Sequence, residues 1–197
     1  MSLGPEWQRG EDGLLFRRAA RVILLDAADR VLLVRGHDVD QPERSWWFTV
    51  GGGIDPGEDS RAAAVRELRE ESGIVLSVDA LVGPVFTRSA IFDFYAEHCR
   101  QDEELFLARL PGTGARSAAG HSAVGSMAVT SAAAADGFDR TGWTDVERDV
   151  LDELRWWHLD DLAALDLEVF PEGLPDLVRP LLSGWDGTTR HLGLARE

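Results

Sequence analysis

Residues 52–74 have the sequence GGIDPGEDSRAAAVRELREESGI, a glycine-containing turn followed by a segment with helical periodicity. Within the helical part, Glu67, Glu70 and Glu71 are spaced i, i+3 and i+4, so they share one face of the predicted helix. Three like charges on one face repel each other. Because hard divalent cations take carboxylate oxygens as ligands, this face is a candidate metal site.

The limits of this helix are predicted from its end signals. Asp59 or Ser60 can cap the N-terminus, and Gly73 is a natural stop after Ser72. An apolar sector lies beside the acidic face, which predicts that the helix packs on a sheet with its glutamates at the edge. That sector consists of Ala64, Val65 and Leu68.

The whole segment resembles the Nudix box, the signature of a family that hydrolyses pyrophosphate bonds, with the pattern G-x5-E-x7-R-E-U-x-E-E-x-G-U, where U is aliphatic. The specified positions all match: Gly52, Glu58, Arg66, Glu67, Leu68, Glu70, Glu71, Gly73 and Ile74. The resemblance implies an α+β protein with the Nudix fold, an α/β/α sandwich around a mixed β-sheet. It also implies metal-dependent hydrolysis of a nucleoside diphosphate linked to another moiety.

The resemblance implies Mg²⁺ or Mn²⁺ as the cofactor, held by the box. We predict Glu70 and Glu71 as the principal ligands, with Glu67 as a further ligand or as the general base. The backbone carbonyl of Gly51 or Gly52 is predicted to add one more ligand. In this assignment Glu67 and Glu70 are catalytic residues as well as metal ligands.

Two further box residues and one acidic segment outside the box complete the predicted site. Arg66, also assigned to catalysis, is expected to form an ion pair with Glu58 that joins the turn to the helix, and the resemblance allows Glu58 a metal contact too. Many family members have another carboxylate outside the box. The acidic residues 102–104 are its best source, and we favour Glu103 over Glu104.

The substrate-binding residues are predicted outside the box. Arg88 and Arg35 are candidates for phosphate contact, because a guanidinium matches phosphate geometry. Trp46 and Trp47 precede the glycines and can stack on a base; alternation along a strand predicts that one of them faces the core. Residues 112–137, rich in Gly, Ala and Ser, are predicted as an insertion loop or as a lid over the substrate.

The chain organisation predicted from hydrophobic patterns is one Nudix domain at residues 19–184, with an N-terminal extension at 1–18 and a C-terminal tail at 185–197. Alternating or apolar segments predict strands at 21–26, 31–35, 46–50, 75–87, 90–95, 104–110 and 154–159. Further helices are predicted at 144–151, at 162–165 with Asp160 and Asp161 as caps, and at 175–182.

Composition limits the partners. A net charge of −15 argues against binding to nucleic acid or an anionic membrane, and the longest apolar runs are too short to span a bilayer. A single cysteine, Cys99, fits a reducing compartment, so we predict a cytoplasmic protein. The expected partner is a small-molecule nucleotide or nucleoside diphosphate derivative, and a homodimer is left open.

Two other functions share this fold. A catalytically silent Nudix module would bind a nucleotide without cleaving it, but such modules tend to lose box glutamates, and all are present here. A prenyl diphosphate isomerase would depart from the box and use a catalytic cysteine, whereas Cys99 has an unremarkable context. The intact box therefore favours a hydrolase, and it leaves the substrate open among nucleoside triphosphates, dinucleoside polyphosphates and nucleotide sugars.

Overall fold

The computed structural model describes residues 6–39, 41–94, 97–111, 138, 141–143 and 145–196. The predicted insertion at 112–137 lies outside the described residues. Within the described ranges, nine strands form one mixed sheet. None of the helices in these ranges has the length and apolar character needed to cross a membrane.

The described part of the chain begins with four strands, and helices separate most of the later ones. The strands are β1 (Gln8–Arg9), β2 (Leu15–Leu25), β3 (Val31–His37), β4 (Ser45–Gly53), β5 (Val82–Phe94), β6 (Glu97–Arg109), β7 (Leu151–Trp157), β8 (Glu168–Phe170) and β9 (Arg190–Arg196). The helices are α1 (Ser60–Ser72), α2 (Asp145–Val150), α3 (Leu159–Ala163) and α4 (Leu174–Val178), with 3₁₀ turns at Val78–Ala80 and Arg179–Ser183.

Strand β2 is the centre of the sheet, whose order is β7-β3-β4-β2-β6-β5-β9. It pairs in parallel with β6 over its whole length, and residues 19–22 of β2 pair antiparallel with β4. β1 pairs with the start of β2, and β8 pairs with β4. The register sets Gly53 beside Ala19 and Gly51 beside Arg21, so the glycines that end β4 lie against the middle of β2.

Helices cover both faces of the sheet, as the sandwich architecture requires. On one face the core joins β2 residues such as Val22 to Ala64 and Leu68 of α1. On the other face it joins alternate β2 residues such as Ile23 to residues of α3 and α4, among them Leu174. The predicted α/β/α sandwich with a mixed sheet is confirmed.

Alternation along β6 separates two adjacent glutamates. Phe106 belongs to the core on the α1 face, whereas Leu105 belongs to the core on the opposite face. Because side chains along a strand alternate between faces, Glu104 points to the α1 side and Glu103 to the other side.

Helix α1 begins and ends where the sequence predicts. The Asp59 side chain accepts hydrogen bonds from the backbone N–H groups of Arg61 and Ala62 at 3.0 and 3.3 Å. Gly73 adopts a left-handed conformation with φ of 74°, and its N–H donates to the Arg69 carbonyl. A side-chain cap of this kind stabilises a helix by about 1 kcal/mol.

Several other predicted boundaries are wrong, and sheet pairing explains the largest errors. β5 is one strand where two were predicted, because it pairs along almost its full length with β6. β6 begins at Glu97, so the polar residues 101–103 lie within a strand rather than before one. His158, not an aspartate, occupies the N-cap position of α3, and the final predicted helix divides into α4 and a 3₁₀ turn. Residues 190–196 pair with β5.

Candidate active site

The glycine turn at the end of β4 brings backbone directly against the acidic face of α1. Gly51 has a φ of 135°, and a side chain there would meet the carbonyl oxygen of Ala20. A Cβ at Gly52 would lie 2.5 Å from Oε2 of Glu67. Glycine is therefore required at the first position by conformation, and at the second it permits the close approach of the Glu67 carboxylate.

Two acids of α1 are buried at this turn. Glu67 and Glu71 lie one helical turn apart, and both are largely removed from solvent. The backbone N–H of Gly51 donates to Oε2 of Glu71 at 2.8 Å. Burying a carboxylate is costly unless hydrogen bonds or positive charge compensate it, and the Gly51 N–H supplies one such hydrogen bond to Glu71.

Arg66 is the centre of an ion-pair network at the site. Its Nε and Nη2 groups donate to the two carboxylate oxygens of Glu58, each at 2.9 Å, which is the ion pair predicted from the sequence. Its Nη1 donates to Glu67 at 2.7 Å and to Glu70 at 3.1 Å. Its Nη2 also donates to the carbonyl of Gly53 at 2.9 Å.

This network stabilises the charged forms of Glu58 and Arg66. The hydrogen bond from Arg66 lowers the pKa of Glu58, and the same bond raises the pKa of Arg66. A two-point contact between a guanidinium and a carboxylate is both strong and directional. Arg66 therefore ties the turn, through Glu58 and Gly53, to the helix that carries the other acids.

The donor set fits a hard divalent cation in chemical type. Glu58, Glu67, Glu70 and Glu71 offer carboxylate oxygens, which are the ligands that Mg²⁺ and Mn²⁺ prefer. Among the described residues, however, no three acidic, histidine or cysteine side chains converge on a common metal position. In this conformation three of the four acids turn instead to the guanidinium of Arg66.

The placement of Glu103 does not support its prediction as a metal ligand. Its side chain is 0% exposed, on the sheet face opposite α1. Arg21 Nε donates to one oxygen at 2.6 Å, and Arg88 Nε donates to the other. Burial by itself raises the pKa of Glu103, but the two guanidiniums outweigh this effect and bring it to about 2. Its neighbour Glu104 is on the α1 side and accepts a hydrogen bond from Ser60 Oγ.

Arg21 and Arg88, the two arginines that pair with Glu103, differ in their other contacts. Arg88, predicted to bind substrate, is buried beside Glu103. Arg21 also donates from Nη1 to the carbonyls of Thr49 and Gly51, at 2.9 and 2.8 Å. Arg21 therefore supports the glycine turn. The sequence analysis missed this role, which only the β2–β4 register reveals.

The remaining predicted substrate contacts lie in β3 and β4. Trp47 is buried in the core and packs edge-on against Trp157, with ring centroids 5.1 Å apart, so its burial argues against a substrate contact. Trp46 faces the opposite side and is half-buried, with the Arg44 guanidinium 5.6 Å from its ring centroid. Arg35 pairs with Asp152 and Glu153 of β7 at 3.3 and 3.4 Å, so acids of this chain engage its charge.

Comparison with known proteins identifies the family of this chain. A model of the NUDIX domain matches residues 15–176. The chain belongs to the Nudix family. The match begins with β2 and includes the glycine turn, α1 and the buried Arg21–Glu103–Arg88 cluster, so the Nudix domain contains every residue of the candidate site described above.

Curated relatives match a shorter region of this Nudix chain. A putative 8-oxo-dGTP diphosphatase of Bacillus subtilis is 38% identical over 69 residues, which is 35% of this chain and 43% of that protein. An RNA pyrophosphohydrolase of Dinoroseobacter shibae is 41% identical over 63 residues, or 32% of this chain and 38% of that protein. The matched regions thus span less than half the length of these relatives.

Solved structures match over most of the Nudix chain at low identity. An Ap4A hydrolase of C. elegans covers 84% of this chain and 95% of its own, at 16% identity and a TM-score of 0.47. A MutT protein of Methanosarcina mazei Go1 covers 85% of this chain and 94% of its own, at 14% identity and a TM-score of 0.48. These values carry no inference about what this chain binds or cleaves.

Proposed function

We propose that this Nudix protein hydrolyses a pyrophosphate bond in a nucleoside diphosphate linked to another moiety. The observation that carries the proposal is the burial of Glu67 and Glu71 on one face of α1, directly against Gly51 and Gly52. This placement sets two carboxylates, the ligand type that a hard divalent cation prefers, beside the glycine turn. It supports the proposal because the reaction needs such a cation.

The proposed cofactor is Mg²⁺ or Mn²⁺, with Glu58, Glu67, Glu70, Glu71 and the Gly52 carbonyl as the residues that would hold it. When bound, a divalent cation of this kind acidifies water and stabilises charge on phosphoryl oxygens. The charge of the protein supports this proposal. With a net charge of −15, the chain needs local positive charge to bind a polyphosphate anion.

The box acids divide by exposure, and the division supports separate roles. The Glu70 side chain is 42% exposed, whereas that of Glu67 is 10% exposed. A general base must contact the water from which it takes a proton. We therefore assign proton abstraction to Glu70 and leave Glu67 as a ligand. Arg66, through its bonds to Glu58 and Gly53, positions these acids on the turn.

The test is a panel of nucleoside diphosphate derivatives and nucleoside triphosphates, assayed with Mg²⁺ and with Mn²⁺ and resolved by chromatography. We expect turnover of at least one compound, its loss in EDTA, and a fall of about 100-fold or more in Glu71→Gln. Glutamine can still accept the hydrogen bond from Gly51, so this variant removes the charge and keeps that contact. Glu172→Gln, on an exposed residue away from the site, is the matched control.

Three outcomes would contradict parts of the proposal. Full activity of folded Glu71→Gln, or full activity in EDTA, would remove the metal assignment. Nucleotide binding without turnover of any compound would instead favour the catalytically silent module. The cytoplasmic location and the homodimer stay predictions.

A further inference from the structure

The N-terminal segment reaches the glycine turn. β1 pairs with the start of β2, setting Gln8 opposite Phe16, and so carries the preceding residues toward the end of β4. The Glu6 side chain lies against Gly53, where a Cβ would come within 2.7 Å of its Cγ. Gly53 is the residue whose carbonyl accepts a hydrogen bond from Arg66. Glu6 is therefore part of the immediate surroundings of the box.

Arg17, a residue of β2, contacts the N-terminal segment through its side chain. Its Nη1 lies 3.6 Å from Oε1 of Glu6, and the two side chains are each 18% exposed. Its guanidinium carbon lies 4.4 Å from the ring centroid of Trp7, a cation–π contact. Its Nε donates to Oε1 of Gln101 at 2.5 Å. The stacking and this hydrogen bond fix the plane of the guanidinium and present its Nη1 edge to Glu6.

Arg17 has both arginines and acids around it. It shares one sheet face with Arg21 and Arg88, whose guanidiniums flank Glu103. Burial, and then the charge of Arg21, lower the pKa of Arg17, while the charges of Glu6, Glu67 and Glu103 raise it. Glu67, a proposed metal ligand, is thus among the acids whose charge acts on Arg17. The guanidinium of Arg17 would itself stabilise an anion beside it, in a protein that is otherwise strongly acidic.

We propose that Arg17 binds a phosphate group of the substrate, and that the Glu6 carboxylate occupies this position until the substrate displaces it. This inference rests on the proposed function. A guanidinium recognises carboxylates and phosphates through the same planar donor geometry, so an oxyanion already at the position marks it as an anion site. A phosphate carries more charge and more acceptor oxygens than the carboxylate, so it competes effectively.

Displacement has a measurable consequence. If substrate binds only when Glu6 has left Arg17, its apparent affinity is reduced by the fraction of molecules in which the site is open. Removing the Glu6 charge should raise that fraction, whereas removing Arg17 should remove the site. The two partners of one ion pair are thus expected to have opposite effects on substrate affinity, which a purely structural ion pair would not produce.

The first experiment measures KM and kcat for the compound that the panel identifies. We expect Arg17→Gln to raise KM by about tenfold or more, as for loss of a charge-assisted hydrogen bond. We expect Glu6→Gln to lower KM by about two- to fivefold, with kcat nearly unchanged. The double variant should match Arg17→Gln. Arg9→Gln and Glu97→Gln, from an exposed ion pair of the same sheet, are the controls.

The second experiment needs no turnover. Inorganic pyrophosphate is titrated into wild-type protein and both variants in EDTA by calorimetry, with circular dichroism to verify folding. We expect Glu6→Gln to bind more tightly than wild type and Arg17→Gln to bind least. Equal affinities, or weaker binding by Glu6→Gln, would overturn the inference, and Glu6→Gln alone suffices if Arg17→Gln does not fold.

The two proposals fail separately. Metal-dependent turnover with an unchanged KM in both variants would leave the hydrolase standing and remove the role of Arg17. Failure of every compound in the panel would remove the hydrolase, while the pyrophosphate titration would still decide whether Arg17 and Glu6 compete for an anion.

Discussion

Replacing Glu103 by glutamine should destabilise the fold strongly. The carboxylate is fully buried between Arg21 and Arg88, and each guanidinium donates to a different oxygen. Glutamine keeps the size of the side chain but not the charge. The variant therefore leaves two buried guanidiniums with a neutral partner, and a buried charge without compensation is costly.

The expected loss of unfolding free energy in Glu103→Gln follows from two arguments. Removal of one partner from a buried ion pair costs about 3–5 kcal/mol. Separately, a folded-state pKa of about 2 against an ordinary value of 4.5 corresponds to about 3 kcal/mol of stabilisation near neutral pH. Because the folded pKa is the lower one, this stabilisation is present above pH 4.5 and is lost as the pH falls toward 2.

Urea denaturation followed by tryptophan fluorescence measures this effect. At pH 7 we expect the free energy of unfolding to fall by about 3 kcal/mol in Glu103→Gln, and the difference from wild type to shrink as the pH is lowered from 5 to 2. Glu104→Gln is the matched control on the same strand. Its partner Arg18 is 56% exposed, so loss of that ion pair should cost at most about 1 kcal/mol.

Two results would refute the reasoning. A loss below about 1 kcal/mol in Glu103→Gln would mean that the buried cluster contributes little to stability. A stable, folded Glu103→Gln that no longer binds Mn²⁺ would return Glu103 to the metal site, as the acidic segment of the sequence first suggested.

Three further predictions concern single positions. Gly52→Ala should displace the Glu67 carboxylate, because its Oε2 would lie 2.5 Å from the new Cβ. We expect Mn²⁺ binding, measured by titration, to weaken at least about tenfold. An unchanged affinity for Mn²⁺ would contradict the close approach of Glu67 to Gly52. Asp59→Ala should lower the free energy of unfolding by about 1 kcal/mol in urea, and no change would mean that the cap is dispensable. Cys99 is buried, and burial raises the pKa of its thiol to about 11. Ellman's reagent at pH 8 should therefore react with Cys99 only after denaturation. Rapid reaction of the native protein would disprove its burial.

The helix and the box were accessible from sequence because their signals are local. Asp59 and Gly73 act on backbone groups within a few residues, so the limits of α1 could be predicted correctly. The Glu58–Arg66 ion pair joins the turn to the helix that follows it directly in the chain. In the same way, the spacing of Glu67 and Glu71 places both on one helical face.

Strand limits were harder because pairing partners are distant in the chain. β6 begins at Glu97 through its contacts with β2 and β5, and local composition alone predicts a later start. A strand that starts seven residues earlier changes the environment of every acid within it. The same partners place Glu104 toward α1 and Glu103 toward the buried arginines.

By itself the sequence determined the family and the acidic face of α1, since both depend on residue types at short spacing. Tertiary structure decided which charges meet across the sheet. Arg17 comes to Gln101, and Arg21 to Glu103, only because β2 runs parallel to β6 in one register. Ion pairs between strands depend on register and on the alternation of faces, and neither is written in a local pattern.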